Sequence, residues 1–156
     1  MKRREFLYRA ACVAGAGWFD PKTFTHGPLA LPALSRKFTA SDAVTLGSTG
    51  IQTTRLAMGT GTVGSGHHSH QTALGIKGLS DLLLNGYDHG LRFFDTADSY
   101  GSHPHVAEAL KHVPRDKVTV LTKTWARDRA SARADLDRFR RELGTDYVDI
   151  CLMHCL

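Results

Sequence analysis

The sequence predicts an α/β fold built on a parallel β-sheet. Short apolar segments typical of buried strands alternate with segments whose apolar residues recur at helical spacing. The repeat is regular, since 28 positions separate Asp95 from Lys123 and 31 separate Lys123 from His154, each residue ending a predicted strand. One crossover helix fits into each interval, so successive strands are expected to run parallel. A doubly wound sheet and a barrel both have this repeat.

The composition is that of one globular domain, with 42% hydrophobic and 22% charged residues in a chain of 156. The formal net charge of +5 lies entirely in residues 1–40, which hold 7 Lys/Arg and 2 Asp/Glu. Residues 41–156 hold 13 of each and are neutral overall. A neutral body has no compositional reason to bind phosphates, so the sequence argues against a nucleic-acid partner.

The first 43 residues differ from the rest of the chain. Residues 1–20 begin with charged residues that include Arg3 and Arg4, continue through small apolar residues, and resemble a twin-arginine signal segment. We therefore expect recognition by the twin-arginine export machinery and a periplasmic or other extracytoplasmic location, or a cytoplasmic one if the leader does not function. Residues 21–43 contain three prolines without periodicity and are predicted to be a linker.

From residue 44 onward, the pattern predicts a β-hairpin, then four parallel strands and three helices. The hairpin turns at Gly47 to Gly50, and the strands end near residues 61, 95, 123 and 154. Ser80 and Ser102 are expected to cap the first two helices, while the third begins near Ser131. The outer face of the third helix carries several arginines and is expected to be solvated. Residues 64–78 are predicted to be a polar surface loop whose histidines hold no metal.

Ionisable residues follow three neighbouring strands at the point where each strand ends. Asp95, Lys123 and His154 occupy these positions, and Tyr100 lies five residues after Asp95. The carboxyl ends of parallel strands meet at one rim of the sheet, where binding and catalysis are built. An ammonium group beside a phenol stabilises the phenolate, which suits Tyr100 to proton transfer. Each residue also has a structural interpretation, as a turn residue, a core residue or a surface residue.

Four segments carry a resemblance to a known family. They read Met-Gly-Thr-Gly at 58–61, Phe-Asp-Thr-Ala-Asp-Ser-Tyr-Gly at 94–101, Leu-Thr-Lys-Thr at 121–124 and Asp-Ile-Cys-Leu-Met-His at 149–154. In these segments the sequence resembles the aldo/keto reductase family, over about residues 44–156. The Asp-Thr-Ala-x-x-Tyr-Gly pattern with the later Lys and His is fairly specific. One departure is His103, where the family often has an acidic or amide residue.

The resemblance implies a (β/α)8 barrel and the NADPH-dependent reduction of a small-molecule carbonyl to an alcohol, with NADH as the alternative cofactor. It implies that Asp95, Tyr100, Lys123 and His154 form the catalytic tetrad, in which Tyr100 protonates the carbonyl oxygen while hydride arrives from the nicotinamide. It further implies cofactor contacts at Gly59, Thr60 and Asp95, and no metal.

The length does not match a whole barrel, which needs roughly 250 residues. Only four strand-helix steps are present, so we expect residues 44–156 to form the N-terminal half of a barrel that is not closed, in a fragment that is inactive alone. The fourth strand then has an unpaired apolar edge that permits self-association. Two alternatives remain, namely a non-catalytic half-barrel interaction or regulatory module that binds no cofactor, and a His-rich exported metal-binding protein.

Overall fold

A four-stranded parallel sheet forms the centre of the structure, which is a computed structural model that describes residues 37–155. A two-stranded hairpin precedes the sheet, and three α-helices connect or follow its strands. In chain order the elements are β1 (Ala43–Thr45), β2 (Gln52–Thr54), β3 (Met58–Gly59), α1 (Gly75–Asp88), β4 (Phe93–Asp95), α2 (His103–Leu110), β5 (Thr119–Thr124), α3 (Arg129–Leu143) and β6 (Ile150–Met153). The predicted hairpin, four parallel strands and three helices are confirmed.

The register of the sheet aligns the carboxyl ends of its strands. The strands are ordered β3-β4-β5-β6, and Gly59 of β3 pairs with Asp95 of β4. Along the next two pairs, Asp95 lies beside Leu121, and Lys123 lies beside Leu152 of β6. The polar residues that end these strands therefore reach the same rim, as parallel pairing requires.

The helices cover the sheet with narrow apolar faces. Leu79 and Leu83 of α1 are one turn apart and almost completely buried, as expected for an amphipathic helix. Phe139 and Leu143 of α3 are likewise one turn apart and completely buried. With residues of the strands and of α2 these side chains form one continuous core: Leu79, Leu83, Phe94, Val106, Ala109, Val113, Val118, Val120, Phe139 and Leu143.

One helix start and two of the predicted helix caps differ from those in the structure. Helix α1 begins at Gly75, so Ser80 is a buried interior residue and the prediction that it caps the helix is wrong. Ser102 stands at the cap position of α2 without capping it, because its hydroxyl lies 2.8 Å from that of Thr60 and 2.5 Å from that of Thr96. Helix α3 begins two residues before Ser131 and is capped by Asp128, whose carboxylate accepts two backbone N–H groups.

Strand β6 forms the edge of the sheet within the described residues. It pairs with β5 on one side only, and Leu152 and Met153 are 45% and 49% exposed. The backbone groups on its other side are thus open to a further strand. The sheet does not close on itself in residues 37–155. Within that range, no helix has the length and apolarity that crossing a bilayer would require.

Residues 37–42 pack against the hairpin, although the sequence places them in the linker. The carbonyl of Ala40 accepts the amide of Leu56 at 3.0 Å, and the Arg55 guanidinium lies 4.1 Å from the centre of the Phe38 ring. This segment therefore belongs to the packed unit. The predicted leader, residues 1–20, and most of the linker lie outside the described residues, and the start of the domain at residue 44 stays a prediction.

Candidate active site

The four predicted catalytic residues converge at the carboxyl ends of the strands. Asp95 ends β4, Lys123 is the second-last residue of β5, and His154 directly follows β6. Tyr100 is brought back over the rim by a short 3-10 turn, Asp98–Tyr100, which ends at Gly101 in the left-handed conformation. The spacing along the sequence and the pairing of the strands therefore place all four side chains on one surface.

Lys123 is the centre of this arrangement. Its side chain is 16% exposed, and its ammonium donates to the Asp95 carboxylate, to the Thr96 carbonyl at 3.0 Å and to the Tyr100 hydroxyl at 3.5 Å. The ammonium also lies 5.0 Å from the centre of the Tyr100 ring. The pairing with Asp95 offsets the cost of removing the ammonium from water, and it fixes the position from which the charge acts on the phenol.

His154 closes the other side of the Tyr100 ring. The two rings meet edge to face with their centres 5.6 Å apart, and the imidazole Nδ1 lies 3.3 Å from the Ser99 hydroxyl. Partial burial lowers the pKa of His154, and the nearby Lys123 ammonium lowers it further. The imidazole is therefore neutral at physiological pH and can donate one hydrogen bond to an oxygen atom at the rim.

The residues predicted to bind cofactor differ in exposure. Gly59 is exposed, and a β-carbon placed there would have no atom within 4 Å. Its backbone is therefore accessible to a ligand. The Asp95 side chain is 35% exposed on the same rim. Thr60 is fully buried, and its hydroxyl bonds to the Asp95 carbonyl at 3.0 Å. Gly59 and Asp95 are thus accessible at the rim, whereas the Thr60 hydroxyl supports the loop from within.

Trp125 is a residue of this surface that the sequence interpretation missed. Its indole is 50% exposed and lies 4.8 Å, centre to centre, from the His154 ring at a tilt of 31°. Arg127 holds the neighbouring backbone, since it donates to the His154 carbonyl at 2.7 Å. A signal was available, because an aromatic residue two positions after a rim lysine lies close to the same strand end.

A polar network fixes the far side of the Tyr100 loop, and it corrects the expectation that Arg138 is simply solvated. Arg138 donates to both oxygens of Asp98 at 2.8 and 2.9 Å and to Glu142 at 2.9 Å. Its hydrogen bonds hold the pKa of Asp98 below its usual value. Arg140, on the same helix, also pairs with a neighbouring carboxylate, that of Asp137.

His103 belongs to the same network. Its Nδ1 lies 2.6 Å from a Glu142 oxygen, and its Nε2 lies 2.8 Å from the Thr122 hydroxyl. Burial lowers the pKa of His103, although Glu142 opposes the shift. Asp98, His103 and Glu142 are close enough to suggest metal ligands, but each ligand atom already has a protein partner and the Arg138 guanidinium supplies the positive charge.

The comparisons with known proteins point to one family. The family model described as "Aldo/keto reductase family" matches residues 55–156. A glycerol 2-dehydrogenase (NADP(+)) of Saccharomyces cerevisiae is 38% identical over 80 residues, which cover 50% of this chain and 24% of the yeast protein. An NADH-specific methylglyoxal reductase of Escherichia coli is 31% identical over 134 residues, which cover 71% of this chain and 41% of the bacterial protein.

The fold comparison gives the same relationship. The structure is similar to a thermostable aldo-keto reductase crystallised with the inhibitor epalrestat, with a TM-score of 0.62 and 26% sequence identity. The match covers 72% of this chain and 42% of that protein. The chain thus spans less than half the length of these relatives. It belongs to the aldo/keto reductase family and has the fold of the N-terminal half of that family's (β/α)8 barrel.

Proposed function

We propose that this protein contributes the acid-base half of an NADPH-dependent carbonyl reductase. The observation that carries the proposal is that one partly buried ammonium, on Lys123, contacts both the Asp95 carboxylate and the Tyr100 hydroxyl. An ammonium in this position stabilises negative charge on the phenol oxygen, which is the charge that develops when Tyr100 gives its proton to a substrate.

The chemistry assigns one role to each residue. The Tyr100 hydroxyl donates a hydrogen bond to the carbonyl oxygen and then transfers its proton, so the oxygen becomes the hydroxyl of the alcohol. Lys123 stabilises the resulting phenolate, and Asp95 holds the Lys123 ammonium in place. Neutral His154 donates a hydrogen bond that orients the carbonyl. A bound nicotinamide dinucleotide supplies the hydride that the carbonyl carbon receives.

The cofactor and substrate assignments rest on the open rim and on the relatives. Gly59 and the exposed part of Asp95 are proposed to contact the cofactor, and Thr60 is proposed to contribute through its backbone. Both NADP(+) and NADH occur in the names of the relatives, and we propose NADPH as the preferred cofactor. The substrate is proposed to be a small aldehyde or ketone, reduced to its alcohol.

Two further proposals concern the setting of this site. The resemblance of residues 1–20 to a twin-arginine segment supports export of the folded protein. The unpaired edge of β6, with the exposed side chains of Leu152 and Met153, supports self-association through this strand. In the export proposal, the part of the predicted linker that precedes residue 37 connects the leader to the reductase part.

The experiment that tests the proposed function uses the full chain and its Tyr100→Phe variant. NADPH binding is followed by fluorescence titration, and NADPH oxidation is followed with a panel of small aldehydes and ketones. Size-exclusion chromatography of the same samples gives the oligomeric state. We expect both proteins to self-associate and to bind NADPH saturably, because a single half-barrel is expected to be inactive alone. In that assembled form we expect carbonyl reduction by the first protein and a loss of about 10³-fold in kcat for the variant.

The possible results separate the proposed reductase from its alternative. A folded protein that neither binds NADPH nor reduces carbonyls would favour the non-catalytic half-barrel module. NADPH binding without any reduction would oppose the assignment of Tyr100. Reduction that is equal in both proteins would also contradict that assignment. A dimer that binds one cofactor per chain would support self-association through β6.

A further inference from the structure

Two glycines in the loop after β3 lie directly against the ring of Tyr100. A β-carbon placed on Gly61 would stand 2.2 Å from Cε2 and 2.4 Å from Cζ of the Tyr100 ring. A β-carbon placed on Gly64 would stand 2.4 Å from Cδ1 and 2.9 Å from Cε1 of the ring, and 2.9 Å from the backbone carbonyl oxygen of Gly61. These distances are far below van der Waals contact, so the ring occupies the space that any side chain at either position would need.

The backbone between the two glycines is a tight turn with an unusual residue. The amide of Gly64 donates to the carbonyl of Gly61 at 2.8 Å, and Val63 has a φ of 53°. A β-branched residue in this left-handed region is strained, and Val63 is 75% exposed, so burial does not compensate. The turn therefore keeps this conformation because the surrounding loop holds it.

Hydrogen bonds attach this loop to the segment that carries Tyr100. The His67 amide donates to the Ser99 carbonyl at 2.9 Å, and the Ser69 hydroxyl donates to the Thr60 carbonyl at 2.7 Å. Closer to the turn, the Thr62 amide donates to the Gln71 side chain at 2.9 Å. A loop anchored at several points behaves as a fixed surface, against which the Tyr100 ring rests.

We infer that Gly61 and Gly64 are positioning residues that set the location of the Tyr100 hydroxyl relative to the Lys123 ammonium. This inference deepens the proposed function and rests on it for its catalytic consequence. The two glycines contact opposite edges of the ring, near Cε2 and near Cδ1. The Lys123 nitrogen lies 5.0 Å from the centre of the same ring, and the centre of the His154 ring lies 5.6 Å from it. The phenol is thus held from both the loop and the sheet.

The mechanism predicts what a single methyl group does. At Gly61 every close atom belongs to the Tyr100 side chain, so the ring gives way and the backbone does not. The folded structure is then retained while the hydroxyl moves from its place 3.5 Å from the Lys123 nitrogen. A displacement of about 1 Å in a catalytic group lowers the rate by about 10²-fold.

The test compares Gly61→Ala and Gly64→Ala with Gly78→Ala, in the full chain. Gly78 lies in α1, where the added methyl would meet only the β-carbon of Leu74 at 3.1 Å. Tyrosines are labelled with ¹³C in the ring, and the Tyr100 signal is identified by its absence in Tyr100→Phe. The same samples are assayed for kcat and KM with a small aldehyde, and for thermal unfolding.

We expect the Tyr100 signal to shift in both loop variants and to stay unchanged in Gly78→Ala, with the signals of Tyr87 and Tyr147 constant in all three. We expect kcat to fall by about 10²-fold in the loop variants while KM changes by less than about twofold. An unshifted Tyr100 signal, or equal shifts of all tyrosines, would overturn the inference. If one loop variant fails to fold, the other decides.

The two proposals fail in different ways. If the unmodified chain self-associates and binds NADPH but does not reduce carbonyls, the proposed function is contradicted, and the Tyr100 signal still decides whether the glycines position the ring. If the chain reduces carbonyls but the loop variants keep both the signal and kcat, only the positioning inference is contradicted.

Discussion

The two ends of the parallel sheet hold different kinds of polar structure. At the carboxyl end, Asp95, Lys123 and His154 lie around Tyr100. At the amino end, a groove of about 1050 Å³ is lined by Arg115, Arg140, Arg141 and neighbouring residues of the 144–147 turn. This groove and the proposed chemistry therefore lie at opposite ends of the sheet.

The difference lies in how the charges are used. In the amino-end groove, Arg115 bonds to the Asp149 carboxylate at 2.7 Å and to the carbonyls of Val118 and Tyr147 at 2.7 and 3.0 Å. Its charge is therefore used to hold the ends of β5 and β6 together. At the rim, Lys123 bonds to Asp95 but also faces a titratable hydroxyl, which leaves a group that can exchange a proton. The two ends of the sheet therefore differ in the groups that contact each cation.

The largest expected effect is at the rim, in Lys123→Met. Removing the ammonium leaves the Tyr100 phenolate without its positive neighbour, so we expect kcat for carbonyl reduction to fall by about 10²- to 10³-fold. Lys77→Met is the matched control, because Lys77 is exposed and pairs with Asp81 on the surface, away from the rim. NADPH oxidation measures both variants. Equal rates in the two would show that Lys123 has no part in the chemistry.

At the amino end, Arg115→Ala is expected to reduce stability instead of activity. The Asp149 side chain is 20% exposed and would lose its cation, and this loss lowers the free energy of unfolding by about 3 kcal/mol. Urea unfolding monitored by circular dichroism measures the change. Arg141→Ala, in the same groove, should stay within about 0.5 kcal/mol of the unmodified protein. Similar losses in both variants would contradict the assigned role of Arg115.

A smaller, pH-dependent effect should arise from His103, between the two ends of the sheet. Burial lowers the pKa of His103 below its usual value of 6.5, so the unfolded chain binds this proton more readily than the folded one. The contribution of His103 is therefore fully present above pH 6.5 and is lost as the pH falls below that value toward the lowered pKa. Asp98 acts in the same direction at lower pH, because its pKa is lowered from 3.8.

The measurement is the free energy of unfolding between pH 7.5 and 5 for the unmodified chain and for His103→Asn. Asparagine keeps a hydrogen-bond donor near Glu142 but does not titrate. We expect the unmodified chain to lose stability more steeply on acidification than the variant. Parallel curves would mean that His103 does not titrate differently in the folded and unfolded states.

Much of the fold was predictable because its signals are local. The helical spacing of Leu79 and Leu83, the apolar run that ends at Asp95, and the turn glycines of the hairpin each need only a short window of sequence. The start of α1 was missed because the loop before it is ordered by contacts that are distant in sequence, such as that of Ser69 with Thr60. The cap of α2 was missed because Thr60 and Thr96 take the Ser102 hydroxyl.

The residues of the candidate site could be predicted from the sequence, but the residues that hold them in place could not. Asp95, Lys123 and His154 end neighbouring parallel strands, and this topology alone brings them to one rim. Arg138 was interpreted as a surface residue because helical periodicity places it outside the apolar face, while its partner Asp98 lies 40 residues earlier. The contact of Gly61 with Tyr100 is likewise invisible in a linear pattern.

By itself, the sequence determined the order of strands and helices, the parallel sheet, and the residue types that meet at its carboxyl end. It could do so because hydrophobic periodicity and the ends of strands are local features of the sequence. Only the tertiary structure decided which hydroxyls are used to hold loops together, which arginines form networks of ion pairs, and where the Tyr100 ring rests. The physical reason is that hydrogen bonds and close packing join residues far apart in the sequence, and their partners are fixed only when the chain is folded.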